Sequence, residues 1–197
     1  DYKNMSDQDE AKFRMIEYHK WKFKAKIFSP LAPLTVKRTP VLMTRVEYGF
    51  LGSYNKYKKS PFETFYMGGD GMSGYSSTYA TETIGLRGYE NGSIAGNGGY
   101  NSYGYAYSRL SMELRYPFLL EPSSTIYGLV FVEAGNAWRD LKDFNPFQLK
   151  RSAGVGVRIF LPMIGLMGID WAYGFDRPDG YDQRGGSNFH FIIGQEF

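Results

Sequence analysis

Residues 166–175 read LMGIDWAYGF, an alternation of large apolar side chains with small or polar ones. The large apolar members occupy every second position: Met167, Ile169, Trp171, Tyr173 and Phe175. The opposite face carries Gly168, Asp170, Ala172 and Gly174. A period of two is typical of a β-strand whose two faces meet different surroundings. One face of this strand suits lipid and the other suits a water-filled interior, as in the strands of a membrane barrel.

The same period recurs in six further stretches, so the sequence predicts seven strands. The other six predicted strands are residues 13–28, 41–52, 103–118, 124–138, 148–160 and 187–197. In the first of these, one face carries Lys20, Lys22, Lys24 and Lys26. A lysine facing lipid at the bilayer midplane costs roughly 2–4 kcal/mol, so this face is expected to line water.

The composition is rich in aromatic residues but contains no long apolar run. Aromatic residues make up 18% of the 197 positions, yet the mean hydropathy is only −0.40. No stretch approaches the roughly 20 consecutive apolar residues that a transmembrane helix requires. Because the sequence contains no Cys, it excludes a disulfide framework and a thiolate metal site. The small net charge of +3 gives no support to a nucleic-acid partner.

The connections between the predicted strands alternate in length. Residues 121–123 and 161–165 form short turns, whereas 140–147, 176–186 and above all 53–99 are long. Short turns at one end and long loops at the other are typical of outer-membrane barrels. Bacterial single-chain barrels have an even number of strands, from 8 upward, so seven strands cannot close one. We expect the remaining strands to come from residues outside this sequence or from another chain.

Five short motifs follow one another from the long connection toward the end of the chain. They are LRGY at 86–89, ELRYP at 113–117, FVEAGNAW at 131–138, AGVGVR at 153–158 and GIDWAY at 168–173. Phe197 then ends the sequence. Their order and spacing resemble the bacterial surface antigen domain, the barrel of BamA-type proteins, over about residues 18–197. Any one motif would be weak, and the resemblance rests on the ordered set.

This resemblance implies an all-β fold, a transmembrane antiparallel β-barrel of sixteen strands. Residues 1–197 would supply its last seven strands. In the family the barrel follows periplasmic POTRA domains, and no POTRA-like βααββ segment occurs in this sequence. The resemblance also implies that residues 53–99 form a long extracellular loop that folds back into the lumen.

The loop motif identifies the first group of candidate site residues. In the family, an arginine followed by Gly and an aromatic residue pairs with an acidic residue from a Phe-x-Asp-x-Gly strand. By resemblance, Arg87, Gly88 and Tyr89 would form the loop side of this anchor and Glu133 the strand side. Glu133 replaces the family's Asp, so the carboxylate is kept and its reach is longer. Asp170 either belongs to the same anchor or simply solvates the interior.

The last predicted strand supplies the second group. Phe189, Phe191, Ile193 and Phe197 alternate along it, with Gly194 three residues before the end. This pattern resembles the β-signal by which outer-membrane proteins are recognised, and it also fits an ordinary closing strand. In the family, the first and last strands form a weak lateral seam. Gly194 has no side chain to pack, which weakens a strand and permits a bend there.

The function implied is folding and insertion of β-barrel proteins into the bacterial outer membrane, through the seam and without nucleotide hydrolysis. Expected partners are unfolded outer-membrane protein clients, the rest of the barrel, accessory lipoproteins, lipid and lipopolysaccharide, but no nucleic acid. Alternatives are a two-partner-secretion or TamA-like pore and, from another class, a passive porin. A large, stable, solute-selective conductance would favour the porin.

The sequence offers no sign of an enzyme. It contains neither a P-loop nor a Gly-x-Ser-x-Gly or His-Glu-x-x-His motif. We therefore predict no catalytic residues and no cofactor. His19 and His190 are far apart in the sequence and are predicted to be ordinary strand positions rather than metal ligands.

Overall fold

The computed structural model describes residues 15–33, 35–55, 57–71, 82–94, 103–121, 123–163 and 165–194. Seven long strands lie in one sheet in the order β1-β2-β5-β6-β7-β8-β9, each antiparallel to its neighbours. Their bounds are β1 Tyr18–Pro30, β2 Val41–Ser53, β5 Ala106–Glu121, β6 Ser124–Trp138, β7 Lys150–Leu161, β8 Gly165–Gly174 and β9 Gly186–Ile193. The predicted all-β architecture is confirmed, while the total of sixteen strands stays a prediction. Within the described ranges, no helix is long and apolar enough to cross a membrane.

The two faces of the sheet differ as the alternation predicts. One face, here called the open face, carries exposed apolar side chains: Trp21, Phe23, Met112, Val155, Trp171 and Phe191. The other face, here called the covered face, is overlaid by parts of residues 57–94 and carries buried polar residues such as Arg45, Glu113 and Asp170. The lysines of β1 lie on the covered face, where Lys20 and Lys22 form ion pairs with Glu82. That this lysine face lines water stays a prediction.

Two short strands in the long connection were not predicted. β3 Phe65–Met67 and β4 Glu82–Ile84 pair in parallel as a separate two-stranded sheet. Three residues are too few to show a period of two, so the sequence carries no signal for them. A 3-10 turn at Leu141–Asp143 lies between β6 and β7.

The long connection packs onto the covered face through an apolar cluster. Its own contribution is Phe65, Met67, Ile84, Leu86, Tyr89 and Ile94, and the strands and their ends add Leu51, Tyr105, Tyr107 and Ala137. Gly135 makes room for it, since a Cβ there would lie 2.4 Å from the Met67 methyl carbon. Residues 56, 72–81 and 95–99 of the connection lie outside the described residues. The described parts of the connection supply most of the apolar core above the sheet.

Candidate functional site

The centre of the site is the side chain of Arg87, which follows β4 and is fully buried. Its Nη1 donates to Asp170 Oδ2 at 2.9 Å, and its Nη2 donates to Glu133 Oε1 at 2.8 Å and to Glu113 Oε1 at 2.5 Å. Its backbone N–H donates to the other oxygen of Glu133, at 2.9 Å. The guanidinium also stacks 3.5 Å above the centre of the Phe131 ring. One loop residue thus joins strands β5, β6 and β8.

Each of the three carboxylates has a second cation. Arg109 donates to Glu133 at 2.9 Å, Arg115 to Glu113 at 2.7 Å, and Arg158 to Asp170 through both terminal nitrogens. These arginines come from β5 and β7, so the acids of the sheet are held in place on both sides. Charge-assisted hydrogen bonds of this kind fix geometry as well as adding free energy. The result is a continuous ionic network beneath the loop.

The pKa of Arg87 reflects the same contacts. Burial by itself would lower the pKa of this guanidinium, but the charges of Glu133 and Glu113 outweigh burial and leave it raised. Arg87 therefore stays cationic at any pH at which the protein is folded.

Gly88 and Tyr89 complete the loop side of the site. Gly88 has φ +87°, and a Cβ there would lie 2.9 Å from the backbone nitrogen of Gly174. Its N–H donates to His190 Nε2 at 2.9 Å. The Tyr89 hydroxyl donates to the carbonyl of Arg151 at 2.6 Å, and burial raises the pKa of Tyr89 to about 12. The loop backbone and the tyrosine are thereby tied to β7 and β9 as well.

Comparison with known proteins identifies the family. Residues 12–197 match the family model described as the Omp85 superfamily domain. The chain belongs to the Omp85 superfamily. No curated protein matches the sequence. The resemblance of the ordered motifs to this family of barrels is thereby confirmed.

A solved structure gives the same fold. The crystal structure of BamA from Haemophilus ducreyi lacking POTRA domains 1-3 matches with a TM-score of 0.61 at 21% sequence identity. The match covers 89% of this Omp85 chain and 35% of the BamA chain, so the chain spans about a third of that relative. At this identity the likeness shows the fold alone.

The structure brings Arg87, Glu133 and Asp170 of the Omp85 chain into direct contact. Sequence reasoning missed Glu113 and the three arginines on the sheet. Two of the motifs contained a signal for them, because ELRYP and AGVGVR place Glu113, Arg115 and Arg158 on the polar face.

His190 differs from its prediction. It was expected to be an ordinary strand position, but its Nε2 accepts the N–H of Gly88 and its side chain is buried. A ring nitrogen that accepts a hydrogen bond carries no proton, so this contact requires Nε2 to be unprotonated. A single histidine on an alternating strand gave no sequence signal for a contact made 102 residues away.

The terminal-strand candidates lie away from this network. Phe189, Phe191 and Ile193 are exposed on the open face of β9. Gly194 has φ +74°, and its N–H donates to the carbonyl of Leu166 at 2.7 Å. Phe197 lies outside the described residues. His190, between two of the exposed phenylalanines, is the point where the last strand meets the loop.

Proposed function

We propose that this Omp85 chain is the C-terminal part of a barrel that folds and inserts other β-barrel proteins into the bacterial outer membrane. The observation that carries the proposal is the buried Arg87 network, which joins the loop motif to three strands of a chain in this superfamily. In an insertase, this cross-link would hold the wall in shape while one seam opens.

The seam is formed by β9 and by the first strand of the barrel, which lies outside this chain. Along its other edge, β9 has no partner strand among the described residues. A client strand adds to such an edge by β-augmentation, in which backbone hydrogen bonds supply affinity. The driving free energy comes from the client's own strand pairing and its burial in lipid, so no nucleotide is hydrolysed.

The anchor and the open face have separate roles in this proposal. The Arg87 network holds the long loop on the covered face and keeps the neighbouring strands in register. The exposed apolar side chains of the open face contact lipid, as a band of this kind does in barrels. Accessory lipoproteins and lipopolysaccharide are proposed partners of the complete protein.

A disulfide lock tests the seam. In the full-length protein, one Cys on β9 and one on the first strand would be oxidised, and insertion of an unfolded barrel protein into liposomes would be measured without nucleotide. The matched control links Ile169 and Phe191 by the same chemistry, since they face each other across β8 and β9 inside the sheet. We expect the seam lock to abolish insertion and the control to leave it unchanged.

Three results would contradict the proposal. Normal insertion by locked barrels would rule out the lateral seam. If the unlocked protein inserts no clients but forms a large, stable and solute-selective conductance, it is a porin. Release of clients across the membrane instead of into it would identify a secretion pore.

A further inference from the structure

His190 is the residue through which the last strand reaches the loop motif. It lies on the covered face of β9, is 6% exposed, and its Nε2 accepts the N–H of Gly88 at 2.9 Å. Its neighbours in the strand, Phe189 and Phe191, are exposed on the open face. This hydrogen bond therefore connects the loop motif to the strand that forms one side of the proposed seam.

The loop is fixed on both sides of Gly88. Arg87 is bound by three buried carboxylates, and the Tyr89 hydroxyl donates to the carbonyl of Arg151. Gly88 itself packs against β8, because a Cβ there would lie 2.9 Å from the backbone nitrogen of Gly174. By contrast, β9 pairs within the described residues along one edge, with β8. If the contact with Gly88 breaks, the part that gains freedom is therefore the strand and not the loop.

The contact depends on the protonation state of His190. Nε2 accepts the N–H of Gly88 only while it carries no proton, because a protonated ring nitrogen is itself a donor. Two donors would then face each other in a buried place, where an unmade hydrogen bond is costly. Histidine is the side chain whose charge ordinarily changes between about pH 5 and pH 8. The contact is thus made at the upper end of this range and lost as pH falls through the pKa of His190.

The charged groups around His190 come from three other elements. Asp170 is its direct partner in the pairing of β8 with β9. Glu133 of β6 and Asp70 of the long connection add further negative charge, and Arg87 adds positive charge. The carboxylates favour the protonated ring, whereas burial and Arg87 favour the neutral ring. Because these influences oppose each other, none of them alone fixes the charge of His190.

We propose that His190 is a positioning residue, a pH-sensitive latch that in its neutral form holds the last strand against Gly88 and in its protonated form releases that strand. The inference rests on the proposed function, in which β9 is the edge to which a client strand adds. Backbone hydrogen bonds between strands depend on distance and alignment, so a client needs an edge that is held in place. Release of the latch therefore slows client insertion.

Protection of the Gly88 amide tests the latch directly. In the full-length protein in nanodiscs, hydrogen exchange at this amide would be measured at about pH 8 and about pH 5, each against the intrinsic rate at that pH. Glu82 titrates below this range. We expect protection of Gly88 in the wild type to fall about tenfold between the two conditions, as for the loss of one hydrogen bond.

Three variants separate the latch from simple packing. His190→Gln supplies an acceptor that does not titrate, so it should keep Gly88 protected in both conditions. His190→Phe keeps a ring without an acceptor and should leave Gly88 unprotected in both. His19→Gln changes the other histidine of the chain and should respond to pH as the wild type does. Heat-modifiable gel mobility would check that each variant is folded.

The inference is overturned if Gly88 protection in the wild type does not depend on pH, a comparison that needs no variant to fold. It is also overturned if protection falls equally in His190→Gln, or if the Gln variant behaves like the Phe variant at about pH 8. In the last case His190 would only fill space.

Client insertion at the same two pH values distinguishes this inference from the proposed function. We expect insertion to be slower at about pH 5 in the wild type, slow in both conditions in His190→Phe, and independent of pH in His190→Gln. If the wild type inserts clients but the Gln and Phe variants insert them equally fast, the positioning role is wrong. If Gly88 protection follows the expected pattern but the wild type inserts no client, the proposed function fails and the latch stands.

Discussion

At the scale of single residues, Arg87 matters because it is the shared partner of three buried acids. The planar guanidinium can donate several hydrogen bonds in fixed directions, which a lysine ammonium cannot reproduce. A buried ion pair adds little net stability compared with apolar packing, but removing one partner leaves a buried charge without compensation. Removing Arg87 therefore lowers the free energy of unfolding by much more than any one of its contacts adds to it.

We expect Arg87→Ala to lower the free energy of unfolding by about 3–5 kcal/mol, because Glu113, Glu133 and Asp170 lose a common cation. Arg87→Lys should recover part of the loss. Urea titration of the full-length barrel, followed by its heat-modifiable gel mobility, would measure the change. Arg38→Ala, at an exposed arginine, is the control and should change stability little. Equal effects of the two alanine variants would contradict the buried network.

Gly88 allows a comparison that separates backbone conformation from packing. Gly88 and Gly165 both have positive φ, +87° and +93°, but a Cβ at Gly165 would meet nothing within 4 Å. Both alanine variants are destabilised by the left-handed backbone conformation, and only Gly88→Ala also clashes with Gly174 and Ser152. We expect Gly88→Ala to cost about 1–3 kcal/mol more than Gly165→Ala in the same titration. Equal costs would mean that the loop does not approach β8 this closely.

At the scale of elements, the long connection is held at two separate places. The first is the Arg87 network on β5, β6 and β8. The second is on β1, where Glu82 of β4 pairs with Lys20 at 3.0 Å and with Lys22 at 2.5 Å. Lys20 also pairs with Glu63 at 2.7 Å, just before β3. Two lysines of β1 therefore fix the two-stranded sheet.

This second attachment should depend on pH. Burial raises the pKa of Glu82, but its hydrogen bonds to Lys22 and Lys20 outweigh burial and leave the pKa below its ordinary value of 4.5. A lowered carboxyl pKa stabilises the folded state fully above pH 4.5, and this contribution is lost as pH falls through the lower folded value. The protection of residues 82–84 from hydrogen exchange, measured against the intrinsic exchange rate at the same pH, should therefore decrease at acidic pH.

Glu82→Gln provides the control for that measurement. The variant should show lower protection of these residues already at neutral pH and little further loss of protection on acidification. Asp143→Asn, in the exposed turn between β6 and β7, should behave as the wild type. An unchanged pH response in Glu82→Gln would assign the effect to another group.

The sequence predicted the strands of this chain better than their ends or their contacts. Alternation places Trp171 and Asp170 on opposite faces because side-chain direction depends only on local geometry. The ends moved by several residues, as in β1, which begins at Tyr18 instead of residue 13. The contact of His190 with Gly88 depends on the three-dimensional path of the loop, which no local period encodes. Arg87 was found because its motif resembles that of a known family.

At the scale of the whole molecule, the two faces of the sheet have opposite requirements. The open face exposes large apolar side chains such as Trp21, 68% exposed, and Phe191, 59% exposed. The covered face buries polar and charged groups beneath the loop. Because a one-residue shift in strand register would exchange the faces, the arrangement is strongly specified. Access to either face by water is therefore a readout of the whole fold.

Single-Cys labelling with a water-soluble thiol reagent gives that readout, since the chain has no Cys of its own. Lys24→Cys should react quickly, because the Lys24 side chain is 49% exposed on the covered face. Val155→Cys on the open face should be protected from the reagent by lipid. If the same Cys is labelled with a fluorophore in detergent and the protein is then placed in brominated lipid, the fluorescence should be quenched.

Ser152→Cys tests whether the Arg87 network holds the long loop over the covered face. Ser152 lies on the covered face beside Gly88 and is 2% exposed, so its Cys should resist the reagent while the loop is in place. Adding Arg87→Ala should release the loop and make this Cys react, whereas adding Arg38→Ala should not. Val155→Cys should stay protected in both backgrounds, because its shielding comes from lipid and not from the loop. If Ser152→Cys reacts at the same rate with and without Arg87, the Arg87 network does not hold the loop over this face.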